Sequence, residues 1–135
     1  MRFSPSAAEQ ARLNEYSSEE RFQYAITRMC ECEEVWSLGD DDGWLIRDVD
    51  GQSAIAIWPY RQMAVAFISG DASNSEPVSV SLEHFLYTLL KQCEEARIVL
   101  DVNPSPLEKG YVIGAAQLYE ILENMVETGS YFIEG

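Results

Sequence analysis

The stretch Val35-Trp36-Ser37-Leu38-Gly39-Asp40-Asp41-Asp42-Gly43-Trp44-Leu45-Ile46-Arg47-Asp48-Val49-Asp50-Gly51-Gln52-Ser53-Ala54-Ile55-Ala56-Ile57-Trp58 holds three short apolar runs separated by two acidic breaks. Each break ends in Asp-Gly, at Asp42-Gly43 and at Asp50-Gly51. Asp-Gly between apolar runs is the strongest short-range hairpin signal, because both residues tolerate the positive φ of a tight turn. The third run alternates, with Ile55 and Ile57 on one face and Ala54, Ala56 and Trp58 on the other. The pattern predicts strands over residues 35–38, 44–47 and 54–58, joined as a three-stranded antiparallel meander.

Upstream, Ser17 and Ser18 precede Glu19 and Glu20, a helix-start signature. Phe22, Ala25, Ile26 and Met29 follow at helical spacing, so a helix is expected to run to about Glu34. Residues 1–16 read as an N-terminal extension or short helix, and residues 17–135 as a single α+β domain. Downstream, Pro59 opens a helix whose stripe is Met63, Ala64, Phe67 and Ile68. Residues 69–77 are loop by composition, and Val78 and Val80 suit a brief strand. Ser81 caps a helix with Leu82, Phe85, Leu86, Leu89, Leu90 and Cys93 on one face. Strands at residues 97–102 and 111–113 follow, then a helix lined by Leu118, Ile121, Leu122 and Met125, stopped by Gly129. Residues 131–133 suit a terminal strand. Strands that cluster early and helices that interleave later suggest the α+β class, a small, mostly antiparallel sheet with helices packed on it.

The chain has 135 residues, enough for one domain, and a formal net charge of −14. A polyanion is repelled by nucleic acid, whose binders neutralise phosphate with cations. The same charge disfavours the anionic face of a membrane. No apolar run approaches the roughly 20 residues of a spanning helix, and the start of the chain lacks the apolar core of a signal peptide. Three cysteines, an odd and sparse set, suit a reducing cytoplasm. The acids are spread along the whole chain, not gathered in a tail.

Few residues form a chemical constellation. Cys30 and Cys32 stand two apart on an expected helix and point away from each other, so they do not share a metal ion. Neither aspartate cluster fits the calcium loop. Counted from Asp40, position 5 is Trp44; counted from Asp48, position 12 is Pro59. The lone histidine, His84, has no nucleophile beside it in a known signature. Gly39, Gly43 and Gly51 sit among aspartates that would repel phosphate. The reading therefore names no catalytic residue, no metal and no cofactor. It retains one ligand or partner face at the sheet edge: Asp40, Asp41, Asp42, Trp44, Asp48, Asp50, Trp58 and Tyr60. Aromatics flanked by acids suit a cationic ligand.

Val35-Trp36-Ser37-Leu38, Asp42-Gly43-Trp44, Asp50-Gly51, Ile57-Trp58-Pro59, Ala64, Phe67 and Ser81-Leu82-Glu83 with Phe85-Leu86 resemble the bacterial family labelled domain of unknown function 2750. The likeness covers about residues 20–127. It implies a small cytoplasmic α+β protein and brings no catalytic residue with it. Residues 98–118, through Asn103-Pro104, look loosely like the N-terminal domain of SseB proteins.

The expectation is a non-enzymatic protein-binding module with a basic protein as partner, in its sharper form an immunity or inhibitor protein of a basic toxin. The alternatives are a small-ligand binder or enzyme built on the Asp/Trp edge, and a structural, oligomer-forming role.

Overall fold

Helix α1 (Ser18–Cys32) begins where the serines and glutamates place it. The Ser17 hydroxyl accepts the Glu20 N–H at 3.2 Å, and the Glu20 carboxylate accepts the Ser17 N–H at 2.8 Å. This reciprocal cap satisfies two N–H groups that the helix cannot. Glu33, in the left-handed conformation at φ 56°, ends it. The structure is a computed structural model that describes residues 17–40, 43–68, 75–105 and 110–128. The expected N-terminal helix, Asp41, Asp42, the stop at Gly129 and the terminal strand all lie outside the described residues.

Strands β1 (Glu34–Asp40), β2 (Gly43–Trp44), β3 (Arg47–Val49) and β4 (Gln52–Ile57) follow. Helix α2 (Arg61–Ile68), strand β5 (Glu76–Ser81) and a long helix, α3, come next. Helix α3 runs through Leu82–His84, Phe85–Leu89 and Leu90–Ala96. Strands β6 (Val99–Val102) and β7 (Tyr111–Ile113) and helix α4 (Ala115–Thr128) complete the order. The class is α+β, as the strand and helix signals imply.

The strands form two ladders, β2-β1-β5 and β3-β4-β6-β7, antiparallel except for β4 with β6. Strands β1 and β2 pair antiparallel through Gly39 with Trp44 and Asp40 with Gly43, and at the β3–β4 turn Asp50 and Gly51 carry the expected positive φ values of 54° and 86°. The middle strand of the expected meander, however, is divided. Its first part, β2, pairs with β1, and its second part, β3, pairs with β4. The reason lies on the β1 edge. Trp36 and Trp58 exchange backbone hydrogen bonds of 2.9 and 2.8 Å, so the end of β4 occupies the middle of that edge. Only Gly39 and Asp40 remain to pair with β2. The chain then bends at Leu45 and Ile46 and continues along β4.

Both faces of the sheet are covered. The alternation in β4 delivers Ile55 and Ile57 to a large core with Leu100 and Val102, beneath α1, α3 and α4. It delivers Ala56 and Trp58 to a second core with Leu38, Ala64 and Phe67, beneath α2. Burying the large side chains of these two layers is the main favourable term in folding.

Candidate functional site

Among the described residues, the sequence-derived edge does not converge on one place. Trp58 and Tyr60 are interior, at 1% and 2% exposure. Trp58 stacks obliquely on Phe67 at 5.2 Å, and its indole N–H donates to the Pro104 carbonyl at 2.9 Å. Trp44 is half-buried and faces Phe85, with ring centres 6.5 Å apart. Asp48 and Asp50 are exposed around the β3–β4 turn. Asp40 ends β1, and nothing is described of its side chain or of Asp41 and Asp42. Burial of Trp58 follows from the two-sided sheet, whose second layer it joins. A sheet covered on one face only would have left this aromatic at the surface.

A different place gathers chemistry: the cleft between α3 and α4. Helix α3 contains a widened turn, in which the Leu90 N–H bonds to the Phe85 carbonyl five residues back. Such π-turns are rare and recur at functional positions. The turn sets Leu90, five residues after Phe85, into the core, and it carries Tyr87, which is 50% exposed. Across the cleft, α4 presents Ala115, Ala116, Tyr119 and Glu120. From α3 come Leu86, Tyr87, Leu90, Lys91 and Glu94. The short alanine side chains leave a cavity of about 390 Å³ between the helices, within the range of ligand-sized pockets.

One carboxylate ties together the two tyrosines that line this cavity. The Tyr87 hydroxyl donates to Glu123 Oε1 at 2.6 Å and the Tyr119 hydroxyl to Glu123 Oε2 at 3.4 Å. The two rings meet edge-on, with centres 6.1 Å apart. The hydrogen bond to Glu123, followed by partial desolvation and carboxylate charge, pushes the Tyr87 phenol up to about 12. Tyr119 is raised as well, by desolvation first and then by the charge of Glu123. Both phenols therefore stay protonated donors to Glu123. Tyr119 and Glu123 are four apart on one helix, a pairing that sequence can show. Tyr87 joins them only through tertiary packing.

A second polar group is interior. Asp101, fully buried in β6, accepts the Gly110 N–H at 2.7 Å, and its other oxygen lies 3.7 Å from the Arg47 guanidinium. Arg47 also lies over the Phe67 ring at 4.7 Å. These contacts hold loop and sheet together. Among the described residues, no group of three or more His, Cys, Asp or Glu is placed to hold a metal ion. No described helix is long and apolar enough to cross a membrane.

The model of a family described as "Protein of unknown function (DUF2750)" matches residues 22–122. No curated protein matches the chain, and the looser likeness to the SseB domain is not shown.

Proposed function

The chain belongs to the DUF2750 family of proteins of unknown function, and since membership brings no activity, we propose from its surface that it is a non-enzymatic cytoplasmic module that binds a basic protein. One observation carries this reading. Among the described residues eleven acidic side chains are exposed, against three basic ones, Arg61, Lys91 and Arg97.

The imbalance is built by folding as well as by composition. Arg21 donates to the Asn103 carbonyl at 2.8 Å. Arg28 bridges Glu31 at 2.6 Å and lies over the Tyr24 ring. Arg47 is turned toward Asp101. Half of the described cations thus serve the molecule's own contacts, and the carboxylates are left outward. A field of one sign speeds encounter with an oppositely charged partner and selects against acidic ones. An inhibitor or immunity protein for a basic toxin is the sharper form of this reading. The Asp/Trp ligand pocket finds no support in the placement of Trp58 and Tyr60, both interior.

The test is affinity capture on the immobilised full-length chain. A protein of high isoelectric point is expected to be retained at about 0.05 M salt and released at about 0.5 M, where screening is short-ranged. If only acidic or neutral proteins are retained, or the retention is indifferent to salt, the reading fails.

A further inference from the structure

We propose that the cleft between α3 and α4 seats an arginine side chain of the basic partner, its stem in the cavity and its guanidinium against Tyr87, Tyr119 and Glu123. The inference rests on the binding-module reading and assigns that binding to one place.

Three features of the cleft fit a guanidinium. First, Tyr87 and Tyr119 give an aromatic ledge at the mouth, and arginine is the cation that best stacks on aromatic rings. Second, Glu123 is already held by both phenols, so its carboxylate is positioned before any partner arrives. A pre-positioned carboxylate loses little freedom on binding, and a charge-assisted hydrogen bond to it is among the stronger polar contacts. Third, the electrostatics of α4 are left unbalanced. Glu120, Glu123 and Glu127 succeed one another at steps of three and four, toward the helix end where the dipole is negative, and no basic residue occupies the last turn. Like charges at that spacing and that end are unfavourable within the molecule. A cation brought from outside relieves both.

The cavity accounts for the stem. Buried Leu86, Leu90 and Ala115 line it as an apolar trough, and exposed Lys91, Glu94 and Glu120 stand at its edge, two acids to one base. An arginine has this shape, a three-carbon stem that packs on apolar surface and a planar charged head. A multiply charged amine without a protein attached would satisfy the carboxylates but would not use the ring faces as well.

The experiment is a nuclear magnetic resonance titration of the isotope-labelled full-length chain at low salt. The probes are a capped peptide of alternating arginine and glycine, its lysine counterpart, and spermidine. Saturable amide shifts are expected in α3 and α4, around Tyr87, Tyr119 and Glu123. The arginine peptide is expected to bind several-fold more tightly than the lysine peptide and than spermidine. Glu123→Gln is expected to weaken it about tenfold, the scale of one lost charge-assisted contact. Glu83→Gln removes an equal charge from the first turn of α3 and is expected to change the affinity less than about twofold. Tyr87→Phe keeps the ring but releases one hold on the carboxylate, and an intermediate loss is expected. The cleft assignment is overturned if Glu83→Gln weakens binding as much as Glu123→Gln, if the shifts scatter over α1 and the β3–β4 turn, or if spermidine binds as tightly as the arginine peptide. Scattered, salt-sensitive shifts would leave the binding-module reading standing. Absence of any shift with either peptide, together with a failed affinity capture, would remove both.

Discussion

Asp101 is the residue on which the sheet is most exposed to failure. A carboxylate with no solvent contact is costly unless hydrogen bonds and charge compensate it. Here the Gly110 N–H hydrogen-bonds one oxygen, and the Arg47 guanidinium, 3.7 Å from the other, supplies opposite charge. Gly110 in turn has no room for a side chain, since a Cβ there would lie 2.0 Å from the Val102 carbonyl oxygen. Asp101→Ala would leave the Gly110 N–H without its acceptor and Arg47 without its counter-charge, and a loss of about 3 kcal/mol is expected in urea unfolding. A loss under about 1 kcal/mol would show that the buried contacts contribute little net. The cysteines give a pH test at the same scale. Burial, and then the charge of Glu31, pushes the Cys30 thiol up from 9.0 to about 11. Between those values the folded chain keeps a proton that the unfolded chain releases, so stability falls as pH rises through the window. Wild-type protein is expected to lose more stability from pH 9 to 11 than Cys30→Ala does. An equal slope in the two proteins would contradict the shift. Asp101 stands in the sequence as one polar residue between Leu100 and Val102, and nothing local shows that its face of the strand is covered too.

At the scale of elements, what could be read in advance was what neighbours in sequence decide. The Ser17–Glu20 cap, the Ser81 cap, the Asp50-Gly51 turn and the apolar stripes of α3 and α4 depend on spacings within a few residues, and all are present. The division of the middle strand depends on Trp58 reaching the β1 edge, a contact between residues far apart in the chain. The widened turn of α3 was equally hidden, because Leu82, Phe85, Leu86, Leu89, Leu90 and Cys93 fit a regular helix well. In the structure Leu90 is 1% exposed, and Leu89, one residue earlier, is only partly buried. Removing Thr88 would take out the extra residue and leave a regular turn, with the present Leu90 four residues after Phe85 and on the same face. Phe85, Leu86, Leu90 and Cys93 would all keep their places in the core, so a change of less than about 1.5 kcal/mol is expected in denaturant unfolding. A loss of about 3 kcal/mol or more would mean that the widened turn is itself required by packing. Loss of the cap in Ser17→Ala is expected to cost about 1 kcal/mol. The candidate cleft shares this mixed legibility. Tyr119 and Glu123 are visible as a helical pair, whereas Tyr87 enters only because two helices and a π-turn bring it there.

For the whole molecule the governing quantity is the net charge of −14. Charge of one sign repels itself in the compact state, and salt relieves that repulsion. Raising salt from about 0.01 M to about 1 M shortens the screening length from roughly 30 Å to roughly 3 Å. The thermal midpoint is therefore expected to rise over that range, and a flat or falling midpoint would show that the acids lie too far apart to strain the fold. The sequence shows the acidity; the fold shows how the contrast is sharpened, by drawing Arg21, Arg28 and Arg47 into internal contacts. The most direct test of the account is low-salt affinity capture on the immobilised full-length chain, followed by calorimetric titration of the retained protein. The account expects a basic protein that binds saturably and whose affinity falls steeply with salt. Recovery of no basic protein, or of one whose affinity is indifferent to salt, would contradict it.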